Sequence, residues 1–392
     1  MPFAVYALGL AVFAQGTSEF MLSGLVSDIA VDLQVSIPAA GLLTSAFAVG
    51  MVVGAPLMAL FSRAWPRRRA LLFFLCVFGA AHVAGALTPG YGVLLAARVV
   101  GALANAGFWA VALATAVSLV GPEARARATS VVVGGVTVAC VAGVPAGAAL
   151  GGAWGWRSAF WAVALITVPA AVVIARTVPG TRPDAVPPRA GTELRALSRP
   201  RLLGTLLTSA LVQGATFCAF SYLEPLATRV TGLGPGWVPV LLALFGLGSF
   251  AGVAVAGRVV DARPVALTSA GLVALAVGWA GLALLAGNAA ATVGLVLVQG
   301  MFAFGTGTAL ISWVFRLGAE APTLAGSFAT SAFNVGGALG PWLGGLAIDA
   351  GLGFRSPLWV SALLMVLALG AGWAVLGTRP ADGRSREGLP AL

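Results

Sequence analysis

Apolar runs of about 20 residues recur along this chain, and a helix of that length crosses a hydrocarbon core about 30 Å thick. The spacing predicts spans near 3–26, 40–62, 70–88, 92–119, 127–150, 157–175, 203–224, 237–257, 265–286, 291–315, 324–348 and 357–376. A backbone exposed to lipid must satisfy its own hydrogen bonds, and runs this long and continuous suit helices, not tilted barrel strands. Composition points the same way, since 59% apolar and 9% charged residues cannot build one soluble core with a wettable surface. The predicted fold class is an all-α polytopic membrane protein of twelve transmembrane helices. The first run is too long for a secretory signal, lacks a basic leader and leads into a second span, so it is expected to stay in the mature protein.

A net charge of +10 invites a nucleic-acid partner, yet the chain has no Lys and its arginines are arranged as a membrane protein needs. Alternate loops carry Arg63, Arg67, Arg68 and Arg69; Arg125 and Arg127; Arg176, Arg182, Arg189, Arg195, Arg199 and Arg201; Arg258 and Arg263; Arg316; and Arg379, Arg384 and Arg386. The opposite loops carry Arg157, Arg229 and Arg355. The positive-inside rule therefore predicts cytoplasmic termini and a cytoplasmic loop over 176–202 in a bacterial inner membrane, with an even number of spans and no nucleic acid bound. Cys76, Cys140 and Cys218 lie within predicted spans without partners at metal-ligand spacing, so neither a disulfide framework, a metal nor a cofactor is expected.

The chain also repeats itself at one constant offset of 198. Gln15 and Gly16 return as Gln213 and Gly214, Gly54 and Pro66 as Gly252 and Pro264, and Gly107 as Gly305. Trp156-Arg157-Ser158-Ala159-Phe160-Trp161 faces Phe354-Arg355-Ser356-Pro357-Leu358-Trp359. The predicted organisation is a six-helix half over 1–176, a Pro- and charge-rich linker over 177–202, a second six-helix half over 203–378 and a tail over 379–392.

Two six-span halves joined in this way resemble the major facilitator transporters, whose substrate cavity lies between the halves near mid-membrane. In the fifth span, Gly143-Val144-Pro145-Ala146-Gly147 followed by Leu150-Gly151 is similar to the antiporter motif of the drug:proton exporters. Ordinary small-residue packing is the other reading of those glycines. The loop Arg63-Ala64-Trp65-Pro66-Arg67-Arg68-Arg69 resembles the family's basic gate loop but lacks its usual Asp. Its second copy keeps the acid in Arg258, Asp261 and Arg263. A latch at that side is expected only in the second half, and a plain topogenic role also accounts for Arg67 and Arg68.

Charges within spans are costly and therefore mark function by default. Glu19 lies inside the first span with Gln15 and Ser23 one turn to either side, making a polar stripe on an apolar helix. Its repeat equivalent is Phe217, so fold symmetry does not demand an acid there. A carboxyl held for helix packing is the alternative to a proton or substrate role. Arg98 shares one face of the fourth span with Gly101, Asn105 and Trp109 and resembles the family's buried Arg. It either biases a nearby carboxylate or snorkels to the headgroups. Gln213, Phe217, Phe220 and Glu224 share a face of the seventh span, suited either to an amphipathic ligand or to packing. Glu224 stands near the periplasmic end, where it could face water; Asp28 and Asp32 read as solvated or capping residues, and His82 as a packed histidine.

Gly16-Thr17-Ser18-Glu19-Phe20, Gly24-Leu25, Asp32-Leu33, Ala40-Gly41-Leu42-Leu43-Thr44-Ser45 and Asn334-Val335-Gly336-Gly337-Ala338-Leu339-Gly340 narrow the resemblance to the actinobacterial chloramphenicol exporters. That resemblance implies a monomeric, proton-coupled efflux carrier, a drug:proton antiporter working by alternating access and conferring antibiotic resistance. It implies a small-molecule drug, protons and membrane lipid as partners, Glu19 as the proton-responsive group and Arg98 as its tuner. Related exporters of nucleosides and sugars share the pattern, and an uptake permease shares the fold. An enzyme is not expected, because the sequence offers no catalytic constellation, and a channel would need a filter or a ring of repeated charges.

Overall fold

The computed structural model describes residues 1–62, 64–180, 200–260, 262–318 and 322–376, and these form helices and connecting turns with no strand among them. The long helices are Phe3–Phe20, Ile37–Ser62, Arg67–Leu87, Tyr91–Ser118, Arg125–Val138 continued by Val144–Trp154, and Arg157–Thr177. The second series is Pro200–Ser221, Trp237–Val259, Pro264–Leu285, Ala289–Leu317, Pro322–Ala347 and Ser356–Leu376. Eleven helices among the described residues are long and apolar enough to cross a membrane, and Pro322–Ala347, of 26 residues, is the remaining long one. Leu60, Leu165, Val277 and Leu363 stand exposed on the outside of the bundle, as expected where lipid is the solvent.

The repeat is visible in the backbone. Gly155 and Gly353 both take a positive φ, at 81° and 74°, where a side chain would be strained. Each is followed by a turn in which a serine hydroxyl returns to the glycine carbonyl at 2.7 Å, Ser158 to Gly155 and Ser356 to Gly353. The segment around Trp156-Arg157-Ser158 thus folds as its copy does, starting the sixth and twelfth spans.

Where the predicted spans fail, a local cause is at hand. The first span leaves the α-helix at Phe20 for a tighter 3₁₀ turn over Met21–Gly24, and a short helix, Val26–Asp32, follows. The seventh span was predicted to reach residue 224 but ends at Ser221. Pro225 lacks the N–H that would bond the Ser221 carbonyl, so the chain breaks at Tyr222 and restarts as the short helix Leu223–Arg229 with Pro225 in its first turn. Asp261, most of the 177–202 linker and the 379–392 tail lie outside the described residues.

Two seams join the halves. The second span packs along the eleventh, and the eighth packs on the fifth where it widens into a π-turn at Ala139–Gly143. That π-turn sits immediately before Pro145, whose ring and missing N–H spoil regular α-helical bonding in the preceding turn. A buried apolar cluster built mainly from the second half takes in Phe20, Cys140, Val144 and Ala148 from the first, so the core is continuous across the seam.

Candidate functional site

The fifth-span glycines find their reason in the first span. A Cβ added at Gly143 would lie 2.0 Å from Thr17 Oγ1, one at Gly147 3.3 Å from Met21 Cβ, and one at Gly151 2.2 Å from Leu25 Cδ2. Residues 143, 147 and 151 thus form one helical stripe against the matching stripe 17, 21 and 25. Pro145 lies in the first turn of Val144–Trp154, the helical segment beyond the π-turn. The arrangement seats the first span closely enough to fix the direction of Ser18 and Glu19.

Between the halves lies a cavity of about 60 Å³, lined by Glu19 of the first span, Thr44, Phe47 and Ala48 of the second, Gln213 and Phe217 of the seventh, and Phe333, Asn334 and Gly337 of the eleventh. It is far smaller than the ~300 Å³ or more of a drug-sized pocket, so this conformer admits water to Glu19 but must open to take a larger solute. Glu19, Gln213 and Phe217, chosen from sequence, meet here. Phe220 stands one layer behind in an aromatic cluster, 4.6 Å from Phe245, 6.4 Å from Phe20 and 6.5 Å from Phe217 between ring centroids.

Arg98 is 2% exposed, so it does not snorkel. Its Nη1 donates to the Ser18 carbonyl at 3.1 Å and to Ser18 Oγ at 2.8 Å, its Nε donates to the Leu43 carbonyl at 3.5 Å, and the guanidinium lies 4.3 Å from the Phe47 ring centroid. Glu19 feels this charge, but the two form no ion pair among the described contacts. His82 is also buried, with Nδ1 2.7 Å from the Phe78 carbonyl and Nε2 2.6 Å from Ser18 Oγ.

Gln15 and Asn105 are fully buried, and their side-chain amides have no hydrogen-bond partner among the described residues. A buried amide in that state costs free energy until water or a ligand bonds it. Ser23 is buried in the 3₁₀ turn away from the cavity lining, and Trp109 packs between two apolar clusters of the first half. Sequence reasoning did not pick Ser18, Thr44, Phe47, Phe333 or Asn334 as site residues. For Ser18 the available signal was adjacency to Glu19, and for Asn334 it was an isolated amide in an apolar span.

The end of the bundle poor in arginine is closed by contacts between the halves. Glu224 is not on the cavity face of the seventh span, as the sequence suggested; its Oε2 accepts from the Ser27 backbone N–H at 3.2 Å, and Thr228 Oγ1 donates to its Oε1 at 3.3 Å. Burial pushes the Glu224 carboxyl above the usual carboxylate range, hydrogen bonds from Ser27 and Thr228 oppose that, and nearby Asp28 adds to it. A carboxyl raised in the closed arrangement binds its proton more tightly there than when water surrounds it. Its contribution to closure is therefore complete below the ordinary glutamate range and is lost as pH rises through the raised value. Spin labels at exposed positions of Val26–Asp32 and Leu223–Arg229, away from Ser27 and Thr228, are expected to separate as pH rises, and Glu224→Gln, which still accepts from Ser27 but cannot titrate, should abolish that pH dependence.

Tyr222 closes the same end. Its hydroxyl donates to the Pro341 carbonyl at 2.8 Å, and its ring fills the space beside Gly41 of the second span. Tyr222→Phe is expected to lower stability by about 1 kcal/mol, measurable as an earlier thermal transition. Asp32 pairs with Arg157 and accepts from Trp156 Nε1 at 3.1 Å, and these bonds hold its carboxyl below its ordinary value.

At the arginine-rich end, Arg67 bonds Ser118 and Arg68 reaches the Ala175 carbonyl at 3.5 Å, while Arg258 and Arg263 are exposed. Asp261, the acid expected to serve a latch here, is outside the described residues.

The profile of the Major Facilitator Superfamily matches residues 8–331, and the chain belongs to that superfamily. It is therefore a multi-pass membrane transporter, not an enzyme. The chain is 51% identical over 372 residues to a chloramphenicol resistance protein of Streptomyces lividans, covering 94% of this chain and 95% of the relative. It is 35% identical over 371 residues to the inner membrane transport protein YdhP of Escherichia coli K12, covering 94% of each. A bacterial homolog of the human lysosomal transporter Spinster, solved inward-facing and unoccupied, superposes with a TM-score of 0.77 at 17% identity over 96% of each chain. That likeness concerns the fold alone.

Proposed function

We propose that this chain is a proton-coupled exporter of chloramphenicol and similar amphipathic drugs, set in a bacterial inner membrane with its arginine-rich end in the cytoplasm. The observation that carries the reading is Glu19, a single carboxyl in the wall of the cavity between the two halves, with a buried arginine nearby that does not pair with it. The identity to a chloramphenicol resistance protein supports the drug class.

In this reading the two halves rock about the cavity, exposing it alternately to either side. Ionised Glu19 goes with the drug-loaded carrier, and a proton taken up by Glu19 from outside goes with the return. Drug and proton thus compete for one conformational cycle. Arg98 biases the Glu19 charge without carrying the proton, because a guanidinium stays protonated. Phe47, Phe217 and Phe333 offer apolar faces to the ring of an uncharged drug, and Gln213, Asn334 and Thr44 offer hydrogen bonds to its polar groups. Gln15 and Asn105, buried without hydrogen-bond partners among the described residues, supply further donors and acceptors once the cavity opens. That same uncharged polar lining suits a nucleoside or a sugar, which is the second reading.

The test is accumulation of labelled chloramphenicol in cells expressing the intact chain, with and without a protonophore. Lower accumulation that the protonophore restores to the vector level is the expected result. Higher accumulation would reverse the direction to uptake, and no change would move the search to nucleosides and sugars.

A further inference from the structure

We propose that His82 is a positioning residue for the transport site: through Ser18 it holds Arg98 away from Glu19 and so sets the pH at which proton displaces drug. The proposal rests on the reading of Glu19 given above.

The direction of each hydrogen bond follows from the partners. The Phe78 carbonyl can only accept, so His82 Nδ1 carries the ring proton and Nε2 is left as an acceptor. Ser18 Oγ–H therefore donates to Nε2 at 2.6 Å, and the lone pairs of Ser18 Oγ turn toward Arg98, whose Nη1 donates to it at 2.8 Å. The line Arg98 to Ser18 to His82 to the Phe78 carbonyl is a polarised chain in which each member has one role. Ser18, His82 and Arg98 are each at most 3% exposed, so no bulk water competes.

The chain determines where the guanidinium points. Nη1 is spent on Ser18 and Nε on the Leu43 carbonyl, while Nη2 has no partner among the described residues. Arg98 is thus parked, its charge acting on Glu19 through space. Thr17, one residue earlier, shows what Ser18 does without His82, because its hydroxyl turns back to the Phe13 carbonyl of its own helix at 2.8 Å. A Ser18 hydroxyl so turned gives up one of the two bonds on Nη1, leaving only the Ser18 carbonyl, and the guanidinium is freer to swing toward the carboxylate.

The titratable or charged groups facing this assembly are Glu19 on the first span, Arg98 on the fourth, and Cys140 in the fifth-span π-turn, which is within electrostatic reach of Glu19. The second span presents Thr44 and Phe47, the sixth presents Phe160, and the seventh and eleventh present Gln213, Phe217, Phe333 and Asn334. Thr44, Phe47, Phe160, Gln213, Phe217, Phe333 and Asn334 carry no titratable group, which leaves Glu19 as the carboxyl of the assembly.

The experiment measures binding of labelled chloramphenicol to the full chain in lipid nanodiscs as a function of pH. In wild type, binding falls as pH falls and Glu19 takes its proton. His82→Leu, which removes the acceptor, and Ser18→Ala, which removes the link, are each expected to move the half-binding pH down by about one unit, since a pairing arginine favours the carboxylate. The double variant should shift no further, because both changes break one chain. His82→Gln places an amide oxygen where Nε2 stands and should restore the wild-type midpoint. If His82→Leu does not fold, Ser18→Ala alone decides. A wild-type midpoint in Ser18→Ala or His82→Leu, with pH dependence still abolished by Glu19→Gln, overturns the role of His82 and leaves the Glu19 reading standing. Wild-type protein that binds no chloramphenicol, or binds it equally at all pH, overturns both.

Discussion

Glu19→Gln is expected to abolish uphill export while leaving the protein inserted, with drug bound more weakly than by wild type at high pH and equally at all pH, as by the protonated carrier. Gln has the size of protonated Glu and keeps an acceptor and a donor at the cavity wall, so the lining of Thr44, Phe47, Gln213 and Phe217 has no cause to repack. What it cannot do is release a proton. Uphill efflux should fall by roughly 100-fold or more, the scale on which a positioned proton-transfer group matters. Exchange of labelled for unlabelled drug across the membrane should continue at saturating drug, because exchange needs the carrier to reorient with drug bound but needs no net proton movement. Uphill export at the wild-type rate by Glu19→Gln would remove Glu19 from the coupling. Loss of exchange together with export would assign Glu19 to drug binding or to packing.

Gly246→Val should inactivate transport by a different route. Gly246 is where the eighth span meets the fifth-span π-turn, and a Cβ there would lie 2.2 Å from the Cys140 carbonyl oxygen, 2.6 Å from its carbon and 2.9 Å from Val141 Cα. These are backbone atoms of the facing helix, so no side-chain rotation relieves the clash. Overpacking of this kind costs about 1–3 kcal/mol. The cost falls only on conformers in which the two halves touch at this seam, so it moves the carrier away from them by roughly 5–150-fold. Membrane levels of the variant are expected to match wild type, with export reduced about 10- to 100-fold. Wild-type export by Gly246→Val would mean that no required state brings the halves together here.

Much of the fold was legible because lipid imposes a length. Each helix must hide its backbone over the same thickness, so the apolar runs mark the spans and the arginines mark one end. The offset of 198 was readable for a related reason: turns that demand a left-handed glycine tolerate little change, and Gly155 and Gly353 both kept it. The seventh span was read too long because its apolar character runs past Ser221, whereas the break at Tyr222 comes from the missing N–H of Pro225.

The site was legible in its charges and less so in its walls. Glu19 and Gln213 stood out because polar groups are rare within spans. Thr44, Phe47, Ala48 and Phe333 did not, since the second span is apolar on nearly every side and only packing decides which faces of the second and eleventh spans meet across the halves. Trp109 shares a helix face with Asn105 in sequence but sits on the apolar side of the fourth span, between clusters that no local pattern reveals. His82 reads from sequence as a packed histidine and is buried with both ring nitrogens bonded, while its link through a serine 64 residues away to an arginine on another span leaves no local signal.

The coupling itself is tested most directly by following protons. Purified protein in proteoliposomes with a pH-sensitive dye inside and an outwardly directed chloramphenicol gradient should acidify the lumen, because each drug molecule leaving returns protons in exchange. Acidification by wild type, absent with Glu19→Gln and with a protonophore, is the expected result. Chloramphenicol leaving the liposomes without any movement of protons would contradict the antiporter.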